Sequence, residues 1–87
     1  SIIKNNVIVN TGSIIEHDCI INSYSHIGPG AVLCGGVNIG ESTFIGANSV
    51  VNQNIIIGNN VIVGSGTVVI KNIPDNTKVV GNPGRII

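Results

Sequence analysis

Two histidines are the side chains in this sequence best suited to move a proton near neutral pH. His17 stands in the run Glu16-His17-Asp18, and His26 follows nine residues later. A neutral imidazole, which ordinarily titrates near pH ~6.5, can take a proton from a hydroxyl or an amine as that group acts as a nucleophile. Either Asp18 or Glu16 could orient the ring of His17 and stabilise its protonated form. A solvated loop histidine without a catalytic role is the alternative, so the fold that positions these residues matters.

The elements that position them form a repeat of six residues. Every sixth position is aliphatic without a break: Ile3, Val9, Ile15, Ile21, Ile27, Leu33, Ile39, Ile45, Val51, Ile57, Val63 and Val69. A period of six matches neither a 3.6-residue helix nor a hairpin ladder. The sequence therefore predicts a solenoid.

The other positions of each hexad support a narrow tube. The fourth residue after the aliphatic one is small or β-branched, as in Cys19, Ser25 and Ala31, and it should point into the same interior as the next aliphatic residue. Glycine often follows the aliphatic residue directly, at Gly28, Gly40, Gly46, Gly58 and Gly64. We expect these glycines to supply unusual backbone angles where the chain turns a corner.

The hexads resemble a known family. The segments 39–44, 45–50 and 57–62 look like the hexapeptide repeat of left-handed parallel β-helix acyltransferases. The resemblance implies an all-β protein in which three hexads make one triangular coil, giving about four left-handed coils over residues 1–74. After Val69 the repeat dissolves, and Pro74 with Asp75-Asn76 favours a turn. We expect residues 75–87 to form a capping tail with one short strand at Lys78–Gly81.

The irregular stretch around the histidines narrows the resemblance. Residues 15–30, together with Asn10 and the ending 81–87, look like the sugar O-acyltransferase family, which includes sialic acid O-acetyltransferases and bacillosamine-pathway N-acetyltransferases. Gly84 and Arg85 depart from the usual Ala and Lys of that ending. The resemblance implies acetyl-CoA as co-substrate, no metal, His17 as general base, and Asp18 as the residue that increases its basicity. Asn10 is the expected contact for the acceptor, a hydroxyl or amine of a sugar or nucleotide sugar.

Residues 18 apart should stack in successive coils, which extends the site along two corners. Gly35 follows His17 by one coil, and its amide is placed to stabilise an oxyanion, because no side chain keeps a thioester away. The resemblance puts further acetyl-CoA contacts at Ala47 and Ser65, although corners of this fold want small residues in any case. Arg85, and less strongly Lys71, are candidates for the CoA phosphates.

His26 should lie on an outward face, between Ile8 and Phe44, on the side of the prism opposite His17. A polar ring there needs a partner, which is either an acyl donor or a backbone carbonyl at a subunit interface. Most outward positions are apolar: Ile8, Ile14, Ile20, Val32, Phe44, Val50, Ile56, Ile62 and Val68. Stripes of this kind favour a homo-oligomer, and the resemblance implies a homotrimer with the active site between subunits.

Composition excludes several functional classes. The net charge is zero, charged residues are 9% of the chain, and Tyr24 and Phe44 are its aromatic residues, so neither nucleic acid nor a membrane surface is an expected partner. Cys19 and Cys34 are not stacked, which disfavours a disulfide and fits a cytoplasmic protein. Because the sequence lacks an initiator Met and opens inside the repeat, we expect a C-terminal portion of a longer polypeptide, or a processed form.

Two other functions remain open from the sequence. A γ-carbonic-anhydrase-like zinc lyase shares the fold but needs three histidine ligands per site, and this chain has two histidines. A non-catalytic trimerising solenoid would have no acetyl-CoA-dependent turnover to lose when His17 is replaced.

Overall fold

The chain winds as a parallel β-helix in a computed structural model that describes all 87 residues. Each hexad contributes one two-residue strand: β1 Ile2–Ile3, β2 Ile8–Val9, β3 Ile14–Ile15, β4 Ile20–Ile21, β5 His26–Ile27, β6 Val32–Leu33, β7 Asn38–Ile39, β8 Phe44–Ile45, β9 Val50–Val51, β10 Ile56–Ile57, β11 Ile62–Val63 and β12 Val68–Val69. Two strands follow, β13 Lys78–Val80 and β14 Arg85–Ile86. None of the chain is a helix of the length and apolarity that crossing a membrane requires.

Three sheets, parallel except where β14 joins the second, form the sides of the prism. The first sheet has the order β1-β4-β7-β10, the second β14-β13-β11-β8-β5-β2, and the third β12-β9-β6-β3. Among β1 to β12 the paired residues are 18 apart, as in Ile21 with Ile39 and His26 with Phe44. Three hexads therefore make one coil, and the predicted hexapeptide-repeat β-helix of about four coils is confirmed.

The interior is filled as the hexad pattern predicts. Aliphatic residues from Ile21 to Val69 are fully or almost fully buried, and so are the small inward residues between them. The inward hydroxyls are bonded along the tube: Ser25 Oγ donates to the Gly40 carbonyl at 2.6 Å, and Thr43 Oγ1 donates to that of Gly58 at 2.7 Å. At the N-terminal end the core side chain of Ile3 is 49% exposed.

The expected role of the glycines at the second hexad position is wrong. Their φ angles are not positive. When the aliphatic residue is counted as the first position of its hexad, the left-handed conformation falls at the fourth position, from Asn6 to Gly66, with φ between 53° and 73°. Glycine is required at most of these second positions because the backbone of the next coil lies too close to leave room for a Cβ atom. A Cβ on Gly46, for example, would lie 2.6 Å from the Ser65 nitrogen and the Val63 oxygen.

The C-terminal tail extends the second sheet. The predicted strand at Lys78–Gly81 is present as β13, which pairs in parallel with β11 and in antiparallel with β14. Val79 is fully buried beneath the last coil. The tail thereby brings Arg85 to the C-terminal end of the prism.

Candidate active site

His17 lies on an exposed corner between the third and first sheets. It occupies the two-residue turn between β3 and β4, and 79% of its side-chain surface is accessible. Its Nδ1 is 3.1 Å from Oδ2 of Asp18. The pairing leaves Nε2, the other ring nitrogen, without a protein partner and available to accept a proton.

The backbone of Asp18 explains how neighbouring residues can form this pair. Asp18 has φ 60°, the left-handed conformation required of the second residue in these corners. Asp and Asn adopt this conformation more readily than most residues. Glu16, the other carboxylate considered for this role, makes no side-chain bond to His17.

Gly35 lies directly beneath the imidazole, one coil further along. A Cβ at this position would be 2.5 Å from both Cε1 and Nε2 of His17. The absence of a side chain therefore allows the edge of the ring to approach the backbone of the next corner. The predicted stacking of Gly35 on His17 matches this geometry.

The small residues predicted to contact acetyl-CoA have backbone N–H groups that could bind a ligand. The N–H groups of Gly35, Ala47 and Ser65 donate to no acceptor within the chain. Corresponding amides on the corner between the first and second sheets are used, since Glu41 and Asn59 donate to side chains of the next coil. Free donors in this position can bind a carbonyl oxygen or an oxyanion.

A second group of residues lies on the second sheet, around His26. Asn10 Nδ2 is 3.5 Å from His26 Nε2, while Asn10 Oδ1 accepts the N–H of Thr11 at 2.7 Å. That acceptor orients the amide so that Nδ2 of Asn10 faces Nε2 of His26, and a ring that accepts this contact would carry its proton on Nδ1. Phe44 packs against the imidazole with ring centroids 5.0 Å apart and an interplanar angle of 62°.

Sequence reasoning placed His26 between Ile8 and Phe44 but did not pair it with Asn10. These residues are 16 apart rather than 18. Asn10 directly follows the aliphatic residue of its hexad, and its side chain extends to the next coil, where it reaches the outward residue of β5, His26. Asn22 and Asn38, with the same separation, are bonded in the same way at 3.2 Å. The offset of 16 is thus the signal that could have found the pair.

Lys71 and Arg85 line one cleft at the C-terminal end, of about 290 Å³. The sequence indicated each of them separately as a candidate to bind the CoA phosphates. The fold brings them together, because the corner that carries Lys71 lies next to strand β14, which carries Arg85. Both side chains are exposed. A cleft with two cations suits an anionic ligand.

The two cysteines are free, and the thiol of Cys19 is buried, with Sγ 3.2 Å from the Cys34 carbonyl oxygen. Within the chain, no three His, Cys, Asp or Glu side chains come together as metal ligands would. The chain thus carries a histidine paired with a carboxylate and free amides at its corners, a second imidazole on the second sheet, and a basic cleft at its C-terminal end.

Coil architecture and corner histidine together define a hexapeptide-repeat β-helix protein. A family model described as bacterial transferase hexapeptide (six repeats) matches residues 1–35 and 36–71. The chain belongs to this family.

Solved structures of sugar acetyltransferases are similar to the chain over nearly its whole length. A histidine-to-alanine mutant of GDP-perosamine N-acetyl transferase from Caulobacter crescentus, in complex with CoA and GDP-perosamine, is 37% identical with a TM-score of 0.96, covering 99% of this chain and 40% of that one. The acetyltransferase domain of PglB from Neisseria gonorrhoeae, in complex with acetyl coenzyme A, is 41% identical with a TM-score of 0.92, covering 93% of this chain and 40% of that one.

WeeI from Acinetobacter baumannii is 32% identical with a TM-score of 0.85, covering 99% of this chain and 54% of that one. The chain thus spans about half the length of the solved proteins it matches. Its resemblance to sugar acetyltransferases is confirmed at the level of family and fold.

Proposed function

We propose that this protein is an acetyltransferase, which moves the acetyl group of acetyl-CoA to an amine or hydroxyl of a nucleotide sugar. The observation that carries the proposal is the arrangement of His17, with Nδ1 on Asp18 and Nε2 free beside the bare backbone of Gly35. The similar Caulobacter and Neisseria structures hold CoA or acetyl-CoA, and the former also holds GDP-perosamine.

In the proposed mechanism His17 acts as a general base. Its Nε2 takes the proton from the acceptor's neutral amine or hydroxyl while that atom forms a bond to the thioester carbonyl carbon. The carbon–sulfur bond then breaks, and the protonated ring returns the proton to the leaving CoA thiolate. Asp18 holds the ring in the tautomer that keeps Nε2 unprotonated before attack and stabilises the imidazolium afterwards.

The free N–H of Gly35 is the proposed donor to the oxyanion. The amide lies at the corner that carries the base, and no acceptor in the chain competes for it. A preorganised backbone donor stabilises the tetrahedral intermediate without reorganisation at the moment of reaction. The free amides of Ala47 and Ser65 would bind the pantetheine arm further along the prism.

His26 is proposed to serve the same reaction from the neighbouring subunit of a homotrimer. It lies on the second sheet, whereas His17 lies on the corner between the other two sheets. Side-by-side packing of prisms would cover the exposed side chains of Ile8, Phe44 and Ile62. It would also bring a donor on Nδ1 of His26 to the acyl donor bound near His17 of the adjacent chain.

Lys71 and Arg85 are the proposed contacts for the CoA phosphates, and Asn10 for the acceptor. The cleft between the two cations lies at the end of the prism towards which the Ala47 and Ser65 column runs. The amine of an amino sugar is the favoured acceptor, by analogy with the Caulobacter enzyme. A cytoplasmic location is proposed because both thiols are free.

The test is thiol release from acetyl-CoA with a panel of nucleoside-diphosphate amino sugars, GDP-perosamine first, and with their hydroxyl counterparts. We expect one acceptor class to support turnover. The variant His17→Asn should lower kcat by about 10²- to 10⁴-fold without changing the melting temperature. The matched control is Ser23→Asn, at the same position of the next corner, which should leave kcat unchanged. Wild-type protein that releases no thiol with any acceptor, or a fully active His17→Asn variant, would refute the proposal.

A further inference from the structure

Tyr24 occupies a backbone position that disfavours its side chain. It is the second residue of the turn between β4 and β5, and its φ is 66°. The equivalent positions stacked in the same column are Asn6, Ser42 and Asn60, all with positive φ. Small polar residues tolerate this conformation, but a bulky aromatic side chain is disfavoured in it.

Nothing within the chain compensates for this conformation. The side chain of Tyr24 is 65% exposed, and its hydroxyl takes part in no hydrogen bond with the protein. Asp18 is the other residue in this left-handed conformation that is not glycine, serine or asparagine. Its conformation has a structural role, because its carboxylate contacts the imidazole of His17. Backbone strain that no contact within the protein offsets is concentrated at functional sites.

The position of Tyr24 relative to His26 indicates which site it serves. One residue, Ser25, lies between them, and two residue steps place their α-carbons about 6–7 Å apart. Asn10 flanks His26 on its other side. The three residues therefore form a row that runs from the corner between the first and second sheets across the second sheet, at the N-terminal end of the prism.

This row lies on the acceptor side of the proposed reaction. The free amides of Ala47 and Ser65 and the basic cleft at Arg85 occupy later coils, so acetyl-CoA would extend from His26 towards the C-terminal end. The surface left for the acceptor is that of Asn10, His26 and Tyr24. We propose that Tyr24 is an acceptor-binding residue, whose ring stacks on the apolar face of the sugar or on the base of a nucleotide sugar. The inference rests on the proposed acetyltransferase function.

The experiment compares Tyr24→Asn with wild type in the acceptor assay described above. Asn fits the left-handed conformation, so the melting temperature should rise by about 4 °C. KM for the nucleotide sugar should increase about tenfold, while KM for acetyl-CoA stays within twofold of wild type. Tyr24→Phe keeps the ring and should retain the wild-type KM for the acceptor. The matched control is Ser42→Asn, one coil further along the same column, which should change neither KM.

Four results would overturn the inference. An active wild type with an unchanged acceptor KM in Tyr24→Asn would refute the role of Tyr24 and leave the acetyltransferase function intact. An acceptor KM raised equally in Tyr24→Phe would refute stacking of the ring. Loss of the wild-type oligomer in Tyr24→Asn, measured by light scattering, would assign the side chain to a subunit contact. A wild type without turnover on any acceptor would refute the proposed function itself, and this inference with it.

Discussion

The imidazole of His17 lies against the backbone of Gly35, one coil further along the prism, with its Cε1–Nε2 edge nearest. The space a Cβ would take at Gly35 is occupied by the ring edge, 2.5 Å from Nε2. An imidazole and a free backbone N–H group thus lie at one corner without any intervening side chain. The chemistry proposed for the site depends on this contact.

We expect Gly35→Ala to lower kcat by at least about tenfold with little loss of stability. The added methyl group meets only an exposed imidazole, which can move away, but the displaced Nε2 no longer lies beside the amide of residue 35. The measurement is kcat together with the melting temperature. Glu41→Ala, at the same hexad position of the next corner, is the control and should keep wild-type kcat. Full activity in Gly35→Ala would show that the His17 ring does not act from this position.

Replacement of Asp18 should separate its catalytic from its conformational role. Asp18→Asn keeps a residue that tolerates φ near 60° but removes the carboxylate that holds Nδ1 of His17. We expect kcat to fall about tenfold with an unchanged melting temperature. Asp18→Ala should show the same fall in kcat and in addition lose about 1 kcal/mol of stability. If Asp18→Asn retains full kcat, the carboxylate is not the partner that the base requires.

The second-position glycines should differ in their tolerance of a methyl group according to what lies on the next coil. In Gly46→Ala the new Cβ meets backbone atoms of residues 63–65, which cannot move independently. In Gly64→Ala the nearest atom is a side-chain carbon of Val80 at 3.0 Å. We expect a loss of about 3 kcal/mol for Gly46→Ala and about 1 kcal/mol for Gly64→Ala, measured by urea denaturation. Equal losses would contradict close coil approach as the reason for glycine at Gly46.

The architecture could be predicted from the sequence because one pattern determines both strand position and register. An aliphatic residue at every sixth position places the core, and three hexads per coil place Ile21 against Ile39. The stacking of Gly35 on His17 follows from the same offset. Handedness and the roles of the site residues came from resemblance, since no periodicity distinguishes them.

The features that sequence reasoning missed are those that depend on backbone conformation or on distances between coils. Gly46 looks like a turn residue in the sequence, yet its φ is ordinary, and the positive φ belongs to the fourth position, which accepts Asn48 as well as glycine. The bond between Asn10 and His26 crosses coils at an offset of 16 and so escapes a stacking rule of 18. Both follow from side-chain reach and coil spacing, which residue identity alone does not encode.

The proposed homotrimer predicts that a charge on the second sheet separates the subunits. Phe44 is 41% exposed beside His26, so Phe44→Lys should leave the fold intact but place an unpaired charge in the interface. We expect a single monomer mass by light scattering and a loss of turnover greater than about 100-fold. Glu41→Lys, on an exposed corner of the same coil, should remain assembled and active. A wild type that is both monomeric and active would contradict an active site shared between subunits.

The basic cleft predicts that the phosphates of CoA contribute to binding through Arg85. We expect Arg85→Gln to raise KM for acetyl-CoA about tenfold, because it removes the planar cation that can bind a phosphate with two bonds. With S-acetylpantetheine, which carries no phosphate, the variant and the wild type should have the same KM. Lys71→Gln should show a smaller effect of the same kind, since an ammonium binds as a point charge. Lys78→Gln is the control, because Lys78 lies on β13 outside the residues that line the cleft. A rise in KM that is equally large for both donors would assign Arg85 to the structure of the tail rather than to phosphate binding.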